Sequence, residues 1–132
     1  MNPNVQGRQE MPASQIITND PQNRGEDVDA ILRFLESVNA QGKLFILQEN
    51  NTILVLILIA KNTVEAHLFT VDEPMTVAHS LKTIVAELRR SEIQRAYSHM
   101  GEETPKILQL LQTFGLQPQQ SDNPEYEWMV DL

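Results

Sequence analysis

Residues 64–90 read VEAHLFTVDEPMTVAHSLKTIVAELRR, and this stretch decides the fold. Its first residues alternate: Val64, Ala66 and Leu68 fall on one side of an extended chain, Glu65, His67 and Phe69 on the other. That pattern predicts a strand over 63–70. Val77, Leu81, Ile84, Val85 and Leu88 then recur at helical spacing and predict a helix over 76–90. Between them lies the turn Asp72-Glu73-Pro74. The first N–H groups of a helix point outward unpaired, so many α/β proteins seat a phosphate at such a turn. This turn has no glycine and carries two carboxylates. Asp72 and Glu73 are therefore expected to act as capping acids at the positive end of the helix.

Upstream, Val28, Ile31, Leu32, Leu35 and Val38 mark one face of a helix over 27–39, with Gly42 just beyond its end. A strand is expected over 43–48 and an Asn-rich turn over 49–51. A second strand over 52–60 is apolar on both faces, which places it inside the sheet with cover on both sides. With the strand over 63–70 these make an antiparallel meander.

Downstream, a strand over 94–99 follows the main helix. A crossover through a helix implies parallel pairing with a right-handed connection. Thr104-Pro105 opens a last helix whose buried face is Ile107, Leu108, Leu111 and Phe114, and Gly115 ends it. A final strand is expected over 126–131, with Tyr126, Trp128 and Val130 on one face.

The chain has 132 residues, enough for one core. A net charge of -8 disfavours nucleic acid and anionic membranes, and Arg89, Arg90 and Arg95 are too few to make a basic face. The absence of cysteine excludes disulfides and thiolate metal sites. The longest apolar run, 53–60, falls far short of the roughly 20 residues a transmembrane helix needs. No signal-peptide pattern opens the chain, so a cytoplasmic protein is the default expectation. Residues 1–24 are polar, with Pro3, Pro12 and Pro21, and read as an N-terminal arm available to other protein subunits. Within it only 15–18 has strand character. Residues 25–132 read as the folded domain.

Helix, three antiparallel strands, helix, strand, helix, strand is an order that resembles the GNAT fold, that of the Gcn5-related N-acetyltransferases. PKILQLLQTFGL over 105–116 is similar to the segment that in those enzymes ends in a Tyr, two variable residues and Leu-Gly-Phe, with Phe114-Gly115-Leu116 in the last place. VEAHLFTVDEP resembles the strand and turn that hold acyl-CoA. The resemblance implies an α/β fold with a mixed sheet and helices on both faces. It also implies acetyl-CoA as the cofactor of any enzyme built this way.

Two departures bear on that chemistry. The family's R/Q-x-x-G-x-G/A loop is replaced by Asp72, Glu73, Pro74, Met75 and Thr76, with Val77, Ala78 and His79 following. Each carboxylate would repel a phosphate by about 1 to 4 kcal/mol at 4 Å, depending on local dielectric. The position of the usual Tyr acid is Leu111, which has no proton to give. The AHLFT, PKILQLLQTFGL and SDNPEYEWM segments are together similar to GNAT-like proteins of tailed phages, including an internal virion protein. That resemblance implies a non-catalytic virion or assembly component, in the virion or the host cytoplasm, acting through protein contacts and binding no cofactor. The alternative is a divergent acyl-CoA-dependent N-acyltransferase, with His67 as base or Tyr97 as acid. His67, His79 and His99 could also approach one another, but their spacing carries no metal signature, and no metal site is expected. A homo-oligomer is compatible with either reading.

Overall fold

The computed structural model describes residues 11–21, 27–99 and 104–132. In chain order the elements are α1 (Ala13–Asn19), α2 (Val28–Ala40), β1 (Leu44–Glu49), β2 (Thr52–Ala60), β3 (Thr63–Thr70), α3 (Pro74–Arg89), β4 (Arg95–Ser98), α4 (Thr104–Thr113), β5 (Pro118–Gln120) and β6 (Trp128–Asp131). One six-stranded sheet runs β1-β2-β3-β4-β6-β5. The meander β1-β2-β3 is antiparallel, β3 pairs with β4 in parallel, and β4-β6-β5 is antiparallel again.

β2 takes its place from its composition. Ile53, Val55 and Ile57 project to one face and pack with α1 and α2 residues Ile16, Ile17, Leu35 and Val38. Leu54 and Leu56 project to the other and pack with Ile84 and Leu88 of α3. Leu81 and Val85 of α3 meet Leu110, Leu111, Leu116 and Val130 further along that second face. Helices thus cover both faces, as the doubly apolar strand requires. Both hairpin turns place an Asn at positive φ, Asn50 and Asn62, where the short amide side chain tolerates left-handed backbone.

α2 and α4 end in the same way. Gly42 donates to Asn39 and Lys43 to Val38; Gly115 donates to Gln112 and Leu116 to Leu111. Both are Schellman caps, with glycine supplying φ of +72° and +90°. The Phe114-Gly115-Leu116 motif is therefore first a helix stop that drives buried Leu116 into the core.

The N-terminal segment departs from expectation. Residues 15–18 belong to a helix, and the described part of the expected arm, 11–21, is packed onto the sheet. The reason is that Ile16 and Ile17 are adjacent. A strand would send them to opposite faces, whereas a helical turn lets both enter one core, where they are 0% and 1% exposed. Each such burial contributes roughly 1.5–3 kcal/mol, which offsets the poor intrinsic stability of a seven-residue helix. Residues 1–10 lie outside the described residues, as do Glu102 and Glu103. β5 was not expected, and the last strand starts at Trp128, leaving Tyr126 in the loop before it.

Candidate active site

The turn after β3 is built differently from a pair of capping acids. α3 begins at Pro74 rather than Thr76, and its N-terminus has no side-chain cap. Asp72 turns back toward the β1–β2 hairpin, where one carboxylate oxygen accepts from the Asn51 N–H at 2.9 Å and the Thr52 hydroxyl at 3.0 Å. Thr70 joins this knot, its hydroxyl 2.7 Å from that of Thr52 and accepting from the Asp72 N–H. Asp72 is drawn there because buried Thr52 and the turn amide need an acceptor. Glu73 is exposed at the N-cap with its side chain unused by the helix. Pro74 at the first helical position costs no hydrogen bond. The Met75 and Thr76 amides are thus left without a side-chain cap, and Glu73 is the carboxylate nearest to them in the chain.

β3 and β4 part early. Their pairing consists of Thr63–Arg95, Val64–Ala96 and Glu65–Tyr97, whereas β3 continues to Thr70. The Val71 N–H donates to Asn51 across the β2 side, so by alternation Ala66, Leu68 and Thr70 direct their backbone groups toward the β4 side. Thr70 meets Asp20 there: its N–H donates to the Asp20 carboxylate at 2.8 Å. Asp20 is the C-cap of α1 and only 3% exposed. At the wide end of the gap, a residue of the expected arm therefore occupies a backbone donor. Leu68 lies between, beyond the last β3–β4 pair.

At the narrow end sits a cluster on the sheet face that α1 and α2 pack against, with Tyr97 and Tyr126 buried in it. The register puts Glu65 beside Tyr97, with His67 and His99 two residues further on. His67 Nε2 bonds one oxygen of Glu65, and the Tyr126 hydroxyl donates to the other at 2.6 Å. The His67 and His99 rings are 6.3 Å apart, His99 and Tyr126 4.9 Å, and Tyr97 stacks on Tyr126 at 5.3 Å. His99 also faces Glu127 at 3.5 Å. Beyond Tyr97, Arg95 clamps Asp131 opposite it and reaches Asp122, which accepts from the Tyr97 hydroxyl at 2.6 Å.

Electrostatics sort these groups. Burial opposes ionisation of Glu65, but the hydrogen bonds from Tyr126 and His67, with the fields of His67 and His99, outweigh it and hold the carboxyl below its ordinary value. Burial, then the bond to Glu65, pushes the Tyr126 hydroxyl up. The Tyr97 hydroxyl and then Arg95 lower Asp122, and Asp131 raises Arg95. In the tautomer that donates from Nε2 to ionised Glu65, Nδ1 is left as an acceptor.

The residues singled out from sequence are distributed as follows. His67 and His99 come together; His79 is exposed on α3, and its backbone carbonyl accepts from Thr83. No group of three or more His, Cys, Asp or Glu able to hold a metal occurs among the described residues. Tyr97 is buried and its proton is engaged by Asp122. Tyr126 lies on the face of Tyr97, opposite to Trp128 and Val130, because it precedes the strand whose alternation was used to place it. Glu65 escaped notice as a site residue, though its i, i+2 spacing from His67 in a strand already put both side chains on one face. Asp20 and Asp122 carried no sequence signal: each meets its partner only through tertiary contact.

Solved structures with this fold include the spermidine N-acetyltransferase of Vibrio cholerae with CoA and spermine (14% identity, TM-score 0.57, 93% of this chain and 90% of that one). A Bacillus subtilis acetyltransferase with CoA aligns at 12% identity, TM-score 0.52 and 93% and 91% coverage. The PaiA N-acetyltransferase of Thermoplasma acidophilum with CoA aligns at 9%, 0.51 and 83% and 72%. The chain has the GNAT fold. No family model matches the sequence, and no curated protein matches it significantly.

Proposed function

We propose that the protein is a divergent acyl-CoA-dependent N-acyltransferase. The observation that carries this reading is the hydrogen-bonded Glu65–His67 pair at the point where β3 and β4 part. An acyl thioester laid along β3 beyond its last pair with β4 would meet the backbone groups of Leu68, and a primary amine approaching the partly exposed His67 side chain would meet its ring. In the reaction the amine nitrogen bonds to the acyl carbon, the C–S bond breaks, and the thiolate leaves. His67 Nδ1 takes the amine proton, while ionised Glu65 holds the ring and stabilises the imidazolium. Support comes from CoA-bound neighbours of the same fold, and from the uncapped N-terminus of α3, a fit for one phosphate that exposed Glu73 weakens. Leu111, packed against Leu116 and Val130, leaves the thiolate without a Tyr proton donor at that position.

Of the three observations behind the assembly role expected from sequence, the acidic turn and the arm lose their weight, while Leu111 at the acid position remains. The turn acids do not close the helix end, and the described part of the arm docks on its own sheet. Titration calorimetry with acetyl-CoA tests the reading, together with acetyl transfer to a panel of primary amines and polyamines. Binding in the micromolar range and turnover abolished by His67→Gln are expected. Absence of both CoA binding up to millimolar ligand and acyl transfer would overturn it.

A further inference from the structure

We infer that β1 is a self-pairing edge, through which two copies of this chain join their sheets antiparallel about a twofold axis at Ile46. β1 is the outer strand of the sheet, six residues long, and among the described residues no element pairs with its outer side. The Lys43 carbonyl accepts from the Leu58 N–H on the β2 side. Alternation then directs the backbone groups of Leu44, Ile46 and Gln48 outward. Those groups form a ready antiparallel template, since Ile46 can exchange both of its bonds with its own copy and Leu44 with the copy's Gln48.

The side chains at this edge suit that partner. Edge strands that stay single are blunted by charge, proline or bulges. Here the centre of the strand carries Phe45 and Ile46, 46% and 39% exposed, with no proline and an unbroken register to β2. Charge complementarity selects one register. Placing Ile46 on the axis sets Phe45 opposite the copy's Leu47 and Lys43 opposite the copy's Glu49. Lys43 and Glu49 sit at the two ends of the strand, and neither takes part in an ion pair among the described residues. In a chain of net charge -8, a registered Lys–Glu pair at each end offsets repulsion between copies. Sliding the strands by two residues either way loses both pairs.

Sedimentation equilibrium on the full chain, at concentrations up to about 100 µM, provides the test. A dimer is expected. Ile46→Pro removes an N–H that points away from β2, so it leaves the monomer fold intact by circular dichroism and makes the chain monomeric. Lys43→Glu sets like charges opposite each other at both ends and weakens the dimer about tenfold or more. Adding Glu49→Lys to that variant restores wild-type affinity to within a few-fold. A wild-type chain that stays monomeric overturns the inference, as does a dimer indifferent to Ile46→Pro or a charge swap that fails to rescue. None of these outcomes depends on acyl-CoA binding, so the proposal stands or falls apart from the catalytic reading.

Discussion

Glu65 shows how one residue's role changes with its neighbours. In the sequence it is an acid sharing one strand face with His67 and Phe69; in the fold it accepts from Tyr126 and bonds His67 at once. His67→Gln and Glu65→Gln should each lower acyl transfer, the first by about 100-fold or more, the range of a lost general base. Glu65→Gln keeps a hydrogen-bonding side chain beside the ring but loses the charge, so its effect should be the smaller of the two. The same contacts link Glu65 to stability. Its carboxyl sits below the ordinary 4.5, so its ionised form stabilises the fold at pH above that value, and the stabilisation is lost as pH falls through the lower folded value. Tyr126→Phe removes a donor to a charged group and should cost about 1–3 kcal/mol near neutral pH. The cost should shrink steadily in acid, as read from melting temperatures across pH. A constant difference from neutral to acid pH would show that Glu65 is not the group involved.

At the level of elements, helix ends and turns carry the lessons. Periodicity predicted α2, α3 and α4 and most of their buried faces, because amphipathic spacing acts within one element; on α4 it is Leu110 rather than the expected Leu108 that packs with Ile107, Leu111 and Phe114. The two glycine stops were legible for the same reason. Gly115→Ala forces a Cβ into φ +90° and should destabilise by about 1–2 kcal/mol in chemical denaturation, although that Cβ would meet only the tip of Arg89, Nη1 at 4.0 Å. Capping of α3 was not legible. Asp72 had two available uses, the helix N–H groups beside it or the hairpin amide and hydroxyl brought over it by β2, and burial of Thr52 decided for the second. Two opposite consequences separate the turn acids. Asp72→Ala should loosen the β1–β2 hairpin, seen as faster exchange of the Asn51 amide. Glu73→Gln should leave stability nearly unchanged and tighten CoA binding several-fold, because it removes a carboxylate near the uncapped end of α3. If Glu73→Gln leaves CoA affinity unaltered, the phosphate does not sit at α3.

Across the whole molecule, the described part of the N-terminal segment, 11–21, packs with the body. Ile16 and Ile17 close the apolar half of one sheet face, and Asp20 holds the end of β3. Ile16→Ala should cost about 2–5 kcal/mol, the range for a truncated buried side chain. Deleting residues 1–20 should expose Ile53, Val55 and Ile57 and abolish a cooperative melt. A truncated chain that melts as sharply as the full one would restore the arm reading. As for crossing a membrane, no helix among the described residues is long and apolar enough to do it.

While α1 and β5 escaped it, the sequence by itself determined the succession from α2 through α4 to a last strand, the meander, the parallel return of β4, most of the face that α2, α3 and α4 bury and the loss of the glycine loop. These follow from spacing along one chain, where 3.6-residue and two-residue periods and the φ preferences of Gly, Asn and Pro act locally. The tertiary structure alone decided where Asp72 and Asp20 spend their carboxylates, that Glu65, His67, His99 and Tyr126 converge, and that β3 and β4 separate beyond Glu65 and Tyr97. Each of these is a meeting between elements distant in sequence. A polar group there is placed by whichever buried donor or acceptor the packing leaves unpaired, and the packing is set by the apolar faces, so the local pattern carries no trace of it.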